Sequence, residues 1–140
     1  MTGPVKQLAL ALDLTGQLVD SVTAAQWPQP TGCGEWTVRD LVAHMVAGNY
    51  LFARIVRGTP LAQARDAVLA AAPAADLAAG YRAAAADLLA AFSGPGALEQ
   101  VVTIPVGTMP GAGAAHIRMV EMLVHGWDLA EATGQATAYP

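Results

Sequence analysis

Proline and glycine divide this chain into segments that are too long for strands and have the periodicity of helices. The breaks are WPQP at residues 27–30, GTP at 58–60 and SGPG at 93–96. Proline disfavours helical backbone at the residue before it, and glycine commonly ends a helix. Between the breaks, apolar residues recur at steps of three and four, which indicates amphipathic helices. The sequence therefore predicts an all-α protein built as a four-helix bundle.

The pattern predicts four long helices and one short one. They cover residues 4–25, 37–57, 74–92 and 112–132, with a short helix or helical linker at 61–72. Thr37 and Asp40 form a capping-box pattern at the start of the second long helix. Gly134 is a suitable C-cap for the last one. Each long segment therefore has a start or stop signal besides its apolar period.

One short segment before the last helix has the composition of a strand. Residues 98–105 include the β-branched Val101, Val102 and Ile104, and Pro105 restricts the segment to an edge or an extended loop. Residues 107–113 follow as a flexible loop that contains Gly107 and Met109. The prediction is a bundle with an extended crossover between its last two long helices.

Length and charge restrict the class of protein. A chain of 140 residues is expected to form a single domain over 1–140. The net charge of −4 and the scattered basic residues argue against nucleic acid and against an anionic membrane surface. No transmembrane run or secretory signal is visible, and the single cysteine, Cys33, fits a reducing compartment. A cytoplasmic protein is expected.

The strongest chemical pattern is a carboxylate and an imidazole one helical turn apart. Glu121 and His125 are separated by four residues, so they lie about 40° apart on one face of a helix. His44, on the predicted inner stripe of the second long helix, is the candidate for a third ligand. Two imidazoles and one carboxylate leave coordination positions open on a divalent metal. The set suits zinc, and nickel, iron or manganese remain open.

The same residues have structural readings that the pattern leaves open. His44 could be a hydrogen-bonded core histidine, and Glu121 and His125 could form an ordinary pair on a half-exposed face. Gly48 lies one turn after His44 and leaves room for a ligand or a close neighbour. Asp128 could orient a ligand histidine or pair with Arg39 between helices.

Two motifs resemble a known family. PTGCGEWTVRDLVAH at residues 30–44 resembles the second-helix motif of the mycothiol-dependent maleylpyruvate isomerase N-terminal domain family, within the DinB-like superfamily. EMLVHGWDLA at 121–130, followed by Thr133 and Gly134, is similar to the fourth-helix motif of that family. The resemblance extends over nearly the whole chain, with both motifs in the expected order.

The resemblance implies a DinB-like up-down-down-up topology and a divalent metal, usually zinc, on His44, Glu121 and His125. It also implies a low-molecular-weight thiol such as mycothiol, bound to the metal as thiolate, that attacks a small electrophile. The outcome would be isomerisation or S-transfer. Family members commonly continue beyond the fourth helix.

The leading hypothesis is therefore a metal-dependent thiol transferase or isomerase in which Gly107 and Met109 border the open coordination position. One alternative is a non-catalytic metal- or ligand-binding or sensor bundle. Another is a metal-dependent hydrolase that needs no thiol. A homodimer is left open.

Overall fold

The computed structural model of the protein describes residues 3–72 and 74–137 and is predominantly helical. The helices are α1 Gly3–Asp20, α2 Val38–Val56, α3 Leu61–Ala70, α4 Leu77–Phe92 and α5 Gly111–Thr133, and the strands are β1 Val101–Ile104 and β2 Gly107–Pro110. Pro73, after which the third long helix was predicted to begin, lies outside the described residues. Within them, α4 begins at Leu77, because the side chain of Asp76 accepts a hydrogen bond from the Ala79 amide and caps the helix.

The four long helices surround a common core. α1 packs against α5 and α4, and α2 packs against α4 and α5. The predicted apolar stripes supply most of the large apolar side chains that are fully buried: Leu8, Leu12, Leu41, Met45, Tyr81, Leu88, Phe92, Met122 and Leu129. Tyr81 also donates a hydrogen bond of 2.8 Å to the Leu12 carbonyl, so its hydroxyl is satisfied inside the core.

The first helix is shorter than the sequence predicts. It ends at Asp20, and turns follow at Ser21 and over residues 24–28. The side chain of Gln26 explains the early end, because it accepts from the Thr23 amide and donates to the Thr133 carbonyl at the end of α5. The segment thus connects two helix ends. The capping box at Thr37 and Asp40 is confirmed, with both reciprocal hydrogen bonds formed.

The prediction of a flexible loop at residues 107–113 is wrong. Gly107–Pro110 forms β2, which pairs antiparallel with β1, and α5 begins at Gly111. Val102 and Ile104 turn inward from β1 and are buried. The Gly111 amide donates to Gln100, and a Cβ at Gly111 would overlap the Ala97 carbonyl. The crossover is therefore an ordered hairpin that ends in a close backbone contact.

Within the described residues, no helix is long and apolar enough to cross a membrane.

Candidate functional site

Two histidines from different helices face each other at one end of the bundle. His44 of α2 and His125 of α5 have ring centroids 5.2 Å apart and ring planes at 84°. Trp36, just before α2, lies against His44 with centroids 4.6 Å apart. His44 was expected to point with the core residues, but it is exposed, while His125 is half-buried. The pair is therefore open to solvent on the side of α2.

The carboxylate of Glu121 is held by a buried arginine. Arg118 is 2% exposed, and its Nη1 donates to Glu121 Oε2 at 2.5 Å. Its Nε donates to Asn49 Oδ1 at 2.7 Å, and its Nη2 donates to the Met45 carbonyl at 3.1 Å. Gly48 provides the space, since a Cβ there would lie 2.6 Å from both terminal nitrogens of Arg118. The close neighbour predicted at Gly48 is this guanidinium.

Charge and burial act together on the two imidazoles. Desolvation, the charge of His125 and the charge of Arg118 lower the pKa of His44 from its usual 6.5. Desolvation and then Arg118 lower the pKa of His125, and Asp128 and Glu121 oppose that shift. Both rings are consequently neutral near pH 7, the form in which an imidazole nitrogen can bind a metal.

Asp128 lies beside the histidine pair without completing a hydrogen bond to it. Its Oδ2 is 3.7 Å from His125 Nδ1, which is too long for a hydrogen bond. His125 Nδ1 is buried and has no hydrogen-bond partner among the described residues.

Desolvation and then Asp128 raise the pKa of the Cys33 thiol, which argues against a nucleophilic cysteine. Arg39 stacks 5.5 Å from the Trp27 ring and makes no ion pair with Asp128 in the described structure.

The three predicted ligands fit a divalent metal in part. Searched over 3–72 and 74–137, no group of three His, Cys, Asp or Glu side chains is arranged to hold a metal ion. His44 and His125 nevertheless face each other, and the latter has an unpaired buried nitrogen. The hydrogen bond from Arg118 uses only Oε2 of Glu121. Ligating carboxylates in metal sites are themselves hydrogen-bonded in this manner, so the donor set is compatible with a metal.

The structure does not bring Gly107 and Met109 to the histidines. Both lie on β2, where they pair with Ile104 and Val102 of β1. The side chain of Met109 also packs close to Gly113 at the start of α5. A cavity of about 650 Å³ does reach His44, but its lining comes from α2, α3, α4 and nearby connections and does not include the hairpin.

Sequence reasoning missed Arg118 and Asn49. Two signals could have indicated them. The first is Gly48, because a glycine inside a helix is unfavourable and indicates that another group packs closely against it. The second is the position of Arg118 three residues before Glu121, where the two side chains can pair. His116, the third histidine of the sequence, lies on α5 and is exposed.

The chain was compared with known proteins. It is 37% identical over 127 residues to an uncharacterized protein of Mycobacterium tuberculosis, matched in two strains. The match covers 91% of this chain and 65% of the relative, so the chain spans about two thirds of that protein's length.

Solved structures show the same fold. The crystal structure of the mycothiol-dependent maleylpyruvate isomerase has a TM-score of 0.76 at 19% identity and covers 90% of this chain and 59% of that one. A DinB-like protein from Bacillus subtilis has a TM-score of 0.78 at 12% identity, with 97% and 96% covered. Residues 8–130 match the mycothiol maleylpyruvate isomerase N-terminal domain family. The chain belongs to that family.

Proposed function

We propose that this protein binds one divalent metal and uses a low-molecular-weight thiol to isomerise a small electrophile or transfer sulfur to it. The observation that carries the proposal is the pair of facing imidazoles of His44 and His125, with a carboxylate anchored by a buried arginine one helical turn before His125 on α5. Membership of the family supports it. The name of the structural neighbour supports mycothiol as the thiol.

In this proposal, His44, His125 and Glu121 hold the metal. Zinc suits the donors, and nickel, iron or manganese share them. When bound, a divalent metal lowers the pKa of a thiol ligand and keeps it as thiolate near neutral pH. Arg118 holds Glu121 Oε2, so the carboxylate would be presented to the metal in a fixed orientation. It acts as a positioning residue, because it fixes the carboxylate without facing the open side of His44.

A thiolate kept ionised in this way would react with an electrophilic carbon. For isomerisation, sulfur forms a bond to one carbon of a conjugated cis double bond, and the π electrons move to the conjugated carbonyl oxygen. Rotation about the resulting single bond and return of those electrons expel the thiolate and leave the trans isomer, with no net proton change. For S-transfer, the new carbon–sulfur bond displaces a leaving group, which departs with its bonding electrons. Trp36, against His44, borders the side from which a substrate would enter.

The proposal includes an up-down-down-up course of the four long helices. Contacts near matching ends support parallel pairs: Gln135 reaches the Leu18 carbonyl, and Arg57 of the α2 C-cap pairs with Asp87 of α4. His44 meets His125 while Asn49 meets Arg118, which supports an antiparallel α2 and α5.

A single domain over 1–140, a cytoplasmic location and a homodimer stay predictions. The isomerase reaction of a longer relative is likewise a proposal for this chain.

Elemental analysis of the purified protein tests the metal. We expect about one equivalent of zinc or a similar ion per chain, retained after dialysis. His44→Ala should lose it and keep its helical circular dichroism. His116→Ala is the matched control, since His116 is exposed on α5 away from the pair. Equal metal content in both variants, or a wild-type protein that binds no added zinc at micromolar concentration, contradicts the assignment.

Turnover separates the classes of function. A thiol-dependent enzyme converts maleylpyruvate or conjugates a halonitrobenzene only when thiol is added. A metal-dependent hydrolase would act without thiol. A binding or sensor bundle, which the cavity beside His44 also suits, would load metal and turn over neither substrate.

A further inference from the structure

A cleft of about 650 Å³ runs along the face of α2 that turns toward α3 and α4. Its volume lies in the range of small-molecule sites. Small side chains create the space, because alanines or glycine occupy many of the positions where the three helices face each other: Ala43, Ala47, Ala67 and Gly80. Val68 and Leu77 add apolar walls. The cleft therefore suits an apolar molecule rather than a sugar.

The cleft is elongated, with one polar group near each end. His44 and Arg54 both line it and are ten residues apart on α2, which corresponds to about 15 Å along the helix axis. Trp36 stands at the His44 end. Ala47 and Tyr50 line the interval between them. An occupant that touched both ends would be extended, with an apolar body.

The charges of the lining favour an anion at the far end. Arg54 is exposed, and its guanidinium has no hydrogen bond or ion pair within residues 3–72 and 74–137. The other charged group, Asp40, lies at the His44 end and is already engaged by the amide and hydroxyl of Thr37. By contrast, the neighbouring Arg57 pairs with Asp87 at 2.8 Å. Arg54 is thus the cation that the cleft leaves available.

We propose that this cleft binds an elongated apolar carboxylic acid, with its carboxylate at Arg54 and its apolar chain extending toward His44. The binding itself needs no metal. That this acid is also the substrate rests on the proposed function. In that case the end of its chain near His44 would carry the carbon that the thiolate attacks.

Calorimetric titration with decanoate and with 1-decanol tests the charge and the chain separately. The two probes share an apolar chain and differ in the carboxylate. We expect decanoate to bind at one per chain, and Arg54→Ala to weaken it about fivefold to tenfold while changing 1-decanol less than about twofold. Arg65→Ala on α3 is the control, since Arg65 is exposed and does not line the cleft. Ala47→Phe, which fills the middle of the cleft, should abolish binding of both probes.

Several results would overturn the proposal. These are equal loss of both probes in Arg54→Ala, undiminished binding in a folded Ala47→Phe protein, or association of many decanoate molecules per chain. Titration of metal-free His44→Ala separates this proposal from the proposed function. Retained decanoate binding there, in a protein without zinc, supports the cleft whatever the outcome for the metal. Loss of decanoate affinity in metal-free wild-type protein would refute the cleft while leaving the metal site intact.

Discussion

A methyl group added at Gly48 should damage the protein more than helix propensity predicts. The new Cβ would lie 2.6 Å from both terminal nitrogens of Arg118 and 2.8 Å from its Cζ, so the guanidinium must move. Arg118 is 2% exposed and donates to Asn49, Glu121 and the Met45 carbonyl. Movement weakens those hydrogen bonds and leaves charge buried without its partner.

The net cost follows from two opposing terms. Alanine in place of glycine inside a helix gains about 1 kcal/mol. Breaking a buried ion pair costs about 3–5 kcal/mol. The side chain of Glu121 is 32% exposed, so water screens part of that loss and the lower end applies. Gly48→Ala should therefore lower the free energy of unfolding by about 2 kcal/mol.

Gly16 offers a matched control on α1. A Cβ there would lie 2.6 Å from Arg82 Nη1, the same approach to a guanidinium. The side chain of Arg82 is 41% exposed, and its partners Asp13 and Asp20 are exposed too. Such surface pairs contribute at most about 1 kcal/mol, which the propensity gain offsets. Gly16→Ala should change the free energy of unfolding by less than about 1 kcal/mol.

Urea unfolding of both variants measures the difference. Nearly equal stabilities of Gly48→Ala and Gly16→Ala would refute the reasoning, since only burial of the arginine distinguishes the two sites. A double-mutant cycle sharpens the test. In an Arg118→Met background the guanidinium is absent, and Gly48→Ala should lose its cost or become stabilising. A cost that persisted there would mean that something other than Arg118 requires the glycine.

Two further predictions concern the cap and the histidines. Thr37→Ala removes the N-cap acceptor of α2 and should destabilise the protein by about 1 kcal/mol, measured as a shift in the urea midpoint, and an unchanged midpoint would contradict it. Burial lowers the pKa of His44 and His125 below the usual 6.5. As the pH falls, the two imidazoles of metal-free protein are therefore protonated in the unfolded chain at a higher pH than in the folded chain. Their contribution to stability is complete above about pH 6.5 and decreases as the pH falls toward the folded-state values. His44→Gln with His125→Gln should flatten the fall in stability between about pH 7 and about pH 5, and an undiminished fall would show that other groups cause it.

Local signals predicted most of the helices. The capping box at Thr37 and the cap at Gly134 depend on residues within one turn, and the structure forms both. The hairpin was only half predicted. β1 is rich in β-branched residues, but β2 contains Gly107 and Pro110 and becomes a strand because β1 pairs with it. The end of α1 was missed because Gln26 bonds to Thr133, a residue 107 positions away.

In the candidate site, too, the sequence predicted what one helix determines and missed what depends on packing between helices. The spacing of Glu121 and His125 follows from one helix, so sequence could place both residues on one face. The meeting of His44 with His125 depends on how α2 and α5 pack, and the exposure of His44 was not readable from its apolar neighbours. Arg118 was overlooked because a buried arginine is uncommon, and because two of its three partners, Asn49 and the Met45 carbonyl, are contributed by another helix.

The close contact at Gly111 fixes the rotation of the last helix. No side chain fits between Gly111 and the Ala97 carbonyl, so α5 can begin in only one register. Each residue of slip would turn the helix by about 100°, which would carry Glu121 and His125 off the face that meets α2. A length change at the hairpin tip, by residues 105–106, can be absorbed as extra loop. The same change between β2 and Gly111 re-aims side chains about 15 Å away. The direction in which Glu121 and His125 point therefore depends on the hairpin and its contact at Gly111, about 15 Å from the site.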